Sequence, residues 1–136
     1  NSSDNRTGEG STKNISLKYY LEIKDALVAA DGTTAQKSAE AFLKELENDD
    51  LVTLIERIGA TEDVRIQREA FNELSTKMVS IVQKSQPDIT IYKQYCPMAF
   101  AGRGAYWLSS EEKVMNPYFG SLMLTCGSVE ETFAAK

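Results

Sequence analysis

The sequence predicts an α+β domain that is mainly α: a helical bundle of about four helices with a small C-terminal strand-and-loop subdomain. Three observations predict this fold class. Apolar residues recur at intervals of three and four from residue 15 to about residue 86. The pattern then changes to a short alternation of period two, followed by many glycines, prolines and aromatic residues. A chain of 136 residues is also long enough to bury a core as one domain.

Each of the four predicted helices carries one apolar stripe. In chain order, they cover residues 15–30, 33–50, 51–58 and 61–84. Gly32 and Gly59 end the first and third helices, Thr33 or Thr34 is the N-cap of the second, and Thr61 is that of the fourth. Stripes of this spacing are typical of the core of a helical bundle.

The organisation along the chain follows from these patterns. Residues 1–14 are rich in Ser, Thr, Asn and Gly and predict a flexible leader. Residues 15–136 form one predicted domain, with a helical part over 15–86 and a Cys/Met/aromatic part over 87–136. Such a leader often follows a removed signal peptide or a lipid-anchored Cys, so we expect a periplasmic or secreted protein, either free or lipid-anchored through a removed N-terminal segment.

Charge and residue content exclude several classes of function. The net charge of -5 offers no basic stripe, so nucleic acid is not an expected partner. No apolar run is long enough to span a bilayer. The chain has no histidine, which removes the commonest general base, and it has no acid pair or cofactor fingerprint, so we do not expect an enzyme.

The unusual side chains are sulfur-bearing. Cys96-Pro-Met98 and Met123-Leu-Thr-Cys126 contain both cysteines and two of the four methionines. Thiolate and thioether are soft donors that favour copper(I), so these four residues are the candidate metal ligands. A Cys96–Cys126 disulfide is the alternative that the residues alone favour, because two cysteines of an exported domain usually pair. Buried apolar packing of the sulfurs is a third interpretation.

Four motifs resemble a family of exported bacterial domains of unknown function. They are Cys96-Pro-Met98, Gly104-Ala-Tyr-Trp107-Leu-Ser, Asn116-Pro-Tyr-Phe-Gly120 and Met123-Leu-Thr-Cys126-Gly127. The resemblance extends over about residues 15–133 and is most specific in the last forty. Members of that family also form the C-terminal module of periplasmic adaptor proteins of heavy-metal efflux pumps.

The resemblance implies copper or related metal handling, with an efflux-pump or envelope protein as partner. It also implies that the four sulfur-bearing residues of the first and last motifs form a metal site. The wall around that site would be built from Tyr92, Trp107, Asn116, Tyr118 and Phe119.

The leading hypothesis is therefore a soft-metal binder, in which a copper(I) state and a disulfide state can alternate. The competing hypothesis is an interaction module that is stapled by the disulfide and docks a partner through an exposed patch of Tyr106, Tyr118 and Phe119.

Overall fold

A computed structural model describes residues 17–46 and 50–136 of the chain. Its helices are α1 (residues 17–28), α2 (Gly32–Glu45), α3 (Val52–Gly59), α4 (Val64–Lys84) and the short α5 (Ala99–Gly102). Its strands are β1 (Ile91–Cys96), β2 (Ala105–Ser109) and β3 (Ser128–Phe133), and a 3-10 turn, η1 (Gly120–Met123), precedes β3. This confirms the predicted α+β, mainly α class. The predicted leader, residues 1–14, lies outside the described residues.

The first four helices follow the predicted stripes, but two of their N-caps were predicted wrongly. Asp31, rather than a threonine, caps α2, because its carboxylate accepts a hydrogen bond from the Thr34 N–H at 3.0 Å. Asp63, rather than Thr61, caps α4 by accepting from the Arg65 N–H at 2.9 Å. Aspartate and threonine are both good acceptors for these free N–H groups, so the sequence pattern could not separate the two choices.

The stripes of the helices meet in one core that contains a polar centre. Tyr20 of α1 stacks on Phe71 of α4, with ring centroids 4.7 Å apart. Gln67 of α4 is fully buried, and its Nε2 donates to the carbonyls of Gly32, Ile58 and Thr61 at 2.8–3.2 Å. One side chain thus joins the start of α2, the end of α3 and the segment before α4. Within residues 17–46 and 50–136, no helix combines the length and apolar character that a membrane crossing requires.

The sheet is antiparallel, with strand order β2-β1-β3. One strand was predicted here, from Ile89, but β1 begins at Ile91 and the side chain of Ile89 is exposed. The prediction of irregular structure beyond β1 was wrong for two segments, which form β2 and β3. A bulge at Lys93 and Gln94 shifts the register between β1 and β3.

Two polar side chains fasten the C-terminal part to the helices. The Tyr20 hydroxyl lies 2.6 Å from Ser75 Oγ in α4 and accepts from the Leu108 N–H in β2 at 2.9 Å. Burial raises the pKa of Tyr20 far above its ordinary value, so this phenol remains protonated. Arg68 of α4 donates from Nε to the Pro117 carbonyl at 2.9 Å. The helical bundle therefore positions the sheet and the loop between β2 and β3.

Candidate functional site

The sheet register brings the two cysteines together. Cys96 is the last residue of β1, and Cys126 lies two residues before β3. Tyr95 pairs with Ser128 across β1 and β3, so the residue after Tyr95 and the residues before Ser128 must be neighbours. The Sγ atoms of Cys96 and Cys126 lie 2.7 Å apart, although 30 positions separate them in the sequence. We call these two residues the sulfur pair.

The two members of the sulfur pair differ in exposure and environment. Cys96 is fully buried, whereas Cys126 is half-buried. The pKa of the Cys126 thiol is raised, mainly by its contact with the Cys96 sulfur and then by burial and by the charge that Cys96 would carry. The Met98 backbone N–H opposes this shift by hydrogen bonding to the Cys126 sulfur. Ionisation of the Cys126 thiol is therefore disfavoured, and Cys126 is the member of the pair that reaches the surface.

The two predicted methionine ligands flank Cys126. Met98 follows the turn at Pro97, and its side chain is 53% exposed. Met123 is half-buried at the end of η1, where its carbonyl accepts from the Cys126 N–H at 3.1 Å. Both described links to Cys126 run through backbone atoms, so the placement of the two thioethers as ligands stays a prediction.

Beyond the sulfurs, the surroundings offer few metal ligands. Over residues 17–46 and 50–136, no group of three or more His, Cys, Asp or Glu side chains is arranged to hold a metal ion. The chain has no histidine at all. A metal ion at the sulfur pair would therefore depend on thiolate and thioether ligands.

Asn116 fixes the segment that carries Cys126, and we call residues 110–127 the cysteine loop. Its buried side chain donates from Nδ2 to the Cys126 carbonyl at 2.9 Å and accepts at Oδ1 from the Tyr118 N–H at 2.7 Å. Its own N–H donates to the Leu124 carbonyl at 2.6 Å. The asparagine was predicted as part of the wall around the site. In the structure, the Asn116 amide joins the Tyr118 N–H to the Cys126 carbonyl and so holds the second half of the cysteine loop at both of its ends.

Asn116→Ala is expected to loosen the cysteine loop. The variant leaves the Tyr118 N–H and the Cys126 carbonyl without their partner, which should cost about 2–3 kcal/mol of unfolding free energy. Because Cys126 would no longer be held in place, the Cys96–Cys126 disulfide should also form more slowly. Counting free thiols during oxidation measures this rate. A matched control is Asn72→Ala, at a half-buried position of α4 outside the cysteine loop. Equal closure rates in Asn116→Ala and wild type would show that the amide does not position Cys126.

The aromatic residues of the C-terminal part lie mainly inside. Trp107 is fully buried and meets Tyr118 edge to face, with centroids 5.9 Å apart. The Trp107 ring also lies against Gly127, because a Cβ at that glycine would come within 3.0 Å of the indole. Trp107 thus borders Gly127, the residue that follows Cys126.

The predicted docking patch is not formed. Tyr118 is buried, and its hydroxyl donates to the Tyr106 carbonyl at 2.7 Å. Phe119 is half-buried, and Tyr106 alone of the three is exposed, at 38%. The prediction of a contiguous aromatic surface was wrong, because Tyr118 is needed to fill the space between α4 and the sheet, where it packs beside Phe71.

These features define a class: a small α+β domain whose three-stranded sheet brings two cysteines together at one end. Residues 17–90 match the family described as "Protein of unknown function (DUF3347)". The match covers more than half of the chain, and the chain belongs to this family. No curated protein and no solved structure matches it.

The family match lies in the helical part and ends just before β1. The resemblance was expected to be most specific in the last forty residues, but the family match does not extend to them. Both cysteines and both candidate methionines lie outside the matched residues, so the motif-based ligand set and the link to efflux adaptors stay predictions.

Proposed function

We propose that the chain is a soft-metal-binding module that holds copper(I) through the sulfur pair, with Met98 and Met123 as further thioether ligands. One observation carries the proposal: the two thiol sulfurs meet at 2.7 Å where one of them reaches the surface. Thiolates are soft donors that prefer copper(I), and the half-buried Cys126 gives an ion a route to the pair.

The ligand chemistry favours copper(I) over zinc. Structural zinc sites use four Cys or His ligands, whereas the described residues around the pair supply two thiolates. Copper(I) accepts two to four soft ligands, so one or two neutral thioethers can complete its site without adding charge. The ligation step favours deprotonated thiols, and the raised pKa of Cys126 means that binding must displace a proton and should strengthen as pH rises.

Metal binding requires a small rearrangement of the pair. Two sulfurs that each lie about 2.3 Å from one ion are separated by roughly 3.8 Å or more. The pair must therefore open by about an ångström from its present separation of 2.7 Å. The Cys126 side chain is the one expected to turn, because Cys126 is half-buried in a loop, whereas Cys96 is buried at the end of the central strand.

The proposal extends to location and partners. The resemblance described above implies a periplasmic or cell-surface protein linked to heavy-metal handling or efflux. In an oxidising compartment a neighbouring cysteine pair closes to a disulfide, so the pair would need reduction before it can bind an ion. The physiological partner would be an efflux-pump or envelope protein that exchanges the metal.

An anaerobic copper(I) titration of the reduced full chain tests this function. We expect tight binding of one equivalent, loss of at least about a hundredfold in affinity for Cys96→Ser and for Cys126→Ser, and loss of about tenfold for Met98→Leu. Met78→Leu, in the helical core, is the matched control and should bind as wild type does. Unchanged affinity in both serine variants would refute the site.

The sulfur separation also favours a second function, that of a stapled interaction domain. In that case the cysteines form a permanent disulfide and the protein acts through its surface. The absence of the predicted patch of Tyr106, Tyr118 and Phe119 removes the docking surface on which that hypothesis depended. This second function would be supported if the exported protein contains no free thiols and does not bind copper(I) after mild reduction.

A further inference from the structure

We propose that the sulfur pair is a thiol–disulfide exchange site with a fixed order, in which Cys126 receives a small disulfide and Cys96 resolves it. The substrate class is a low-molecular-weight disulfide such as oxidised glutathione. The exchange itself does not depend on metal binding. Its consequence, an oxidised form that cannot hold copper(I), rests on the proposed function.

The order follows from the difference in exposure. Cys96 is fully buried at the end of the central strand, with β2 on one side and β3 on the other. Cys126 is half-buried at the outer side of the pair. The attacking sulfur must line up with the S–S bond of the reagent, and of the two cysteines it is Cys126 that reaches the surface.

Exposed apolar residues lie near both members of the sulfur pair. Met98 is 53% exposed and Leu122 is 91% exposed. Met98 lies two residues after Cys96, and Leu122 directly precedes Met123, whose carbonyl accepts from the Cys126 N–H.

The second step is built into the fold. The Cys96 sulfur already lies 2.7 Å from the Cys126 sulfur, so its attack on a mixed disulfide is intramolecular and needs no large movement. Asn116 holds the Cys126 carbonyl and limits the escape of the loop during this step. A mixed disulfide at Cys126 should therefore be short-lived in the wild type.

The reaction balances without a further oxidant. The Cys126 thiolate attacks one sulfur of oxidised glutathione, a Cys126–glutathione bond forms, and one glutathione thiolate leaves. The Cys96 thiolate then attacks the Cys126 sulfur, the Cys96–Cys126 bond forms, and the second glutathione thiolate leaves. The protein loses two electrons, the reagent gains them, and the two protons of the protein thiols pass to the two glutathione molecules.

The test follows reaction of the reduced full chain with oxidised glutathione by acid quench and intact mass. Wild type should lose two hydrogens with little adduct, Cys96→Ser should accumulate an adduct on Cys126, and Cys126→Ser should form its adduct at least about tenfold more slowly. Repeating the reaction in denaturant should remove the difference between the two variants, which shows that the folded structure imposes it. Equal rates in the folded variants, or a lasting adduct on wild type, would overturn the proposal.

A copper(I)-loaded wild-type sample separates this inference from the proposed function. If the metal occupies the pair, loading should slow the exchange by at least about tenfold. Ordered exchange without protection by copper(I) would refute the metal function and leave the exchange site standing. Copper(I) binding by a protein whose two cysteine variants react at equal rates would refute the ordered exchange and leave the metal function standing.

Discussion

The disulfide form of the protein is expected to unfold on the order of 10–15 °C above the reduced form. Joining Cys96 to Cys126 closes a loop across 30 sequence positions, and the chain-entropy relation gives about 3–4 kcal/mol for a loop of this length. The native pair is already adjacent, so little rearrangement offsets the gain. Thermal unfolding with and without a phosphine reductant, monitored by circular dichroism, measures the difference.

A Cys96→Ser/Cys126→Ser variant is the control, because the reductant should not change its unfolding temperature. An oxidised wild type, proven free of thiols, that unfolds at the same temperature as the reduced protein would contradict the expectation. That result would mean that the closed bond strains the sheet as much as it restricts the unfolded chain.

The stability difference between the two forms should also grow with pH. The folded-state pKa of Cys126 in the reduced protein is raised, so its unfolded state ionises first. The raised pKa adds to the unfolding free energy of the reduced protein. This contribution is fully present below about pH 8.5, the ordinary pKa of a thiol, and it is lost as the pH rises toward the folded-state pKa. The disulfide has no ionisable thiol, and the titrations of lysine and tyrosine are common to both forms.

Gly32→Ala is expected to destabilise the helical part by about 3 kcal/mol. A Cβ at Gly32 would overlap the carbonyl oxygen of Glu62 and lie 2.8 Å from its carbonyl carbon. Both are backbone atoms of the turn before α4, so no side-chain rotation relieves the contact. Displacement of this turn would also disturb Gln67, whose amide donates to the carbonyls of Gly32 and Thr61.

Urea unfolding followed by far-UV circular dichroism measures this effect, and Gly59→Ala is the matched control. A Cβ at Gly59 would meet only Ala39 and Glu40 at 3.6 Å or more, so alanine there should leave stability unchanged or raise it by up to about 1 kcal/mol. Equal stability of the two variants would show that α2 and the turn before α4 can separate without cost.

The helices were predictable because burial on one side imposes a period that survives in the sequence. Phe71, Leu74 and Met78 mark the inner face of α4 and are all fully buried. The strands β2 and β3 were missed for opposite reasons. In β2 every residue but Tyr106 is buried, so no alternation remains, whereas in β3 the residues are mostly polar and exposed. Neither pattern resembles a half-buried strand.

The candidate site was predictable in composition but not in geometry. Sulfur-bearing side chains can be recognised in the sequence, and Cys96 and Cys126 do meet. Their contact depends on β3 pairing with β1, and β3 was not predicted. The role of Asn116 was equally hidden, because its partners, Cys126 and Tyr118, are set by the path of the cysteine loop rather than by any local pattern.

The position of Trp107 gives the protein its own optical reporter. It is the only tryptophan in the chain, it is fully buried, and its ring lies against the glycine that follows Cys126. Indole emission is quenched by a nearby disulfide and by a bound copper ion, and it shifts when the ring is exposed to water. The intrinsic fluorescence of this one residue should therefore follow the state of the sulfur pair in real time, without any label attached to the protein.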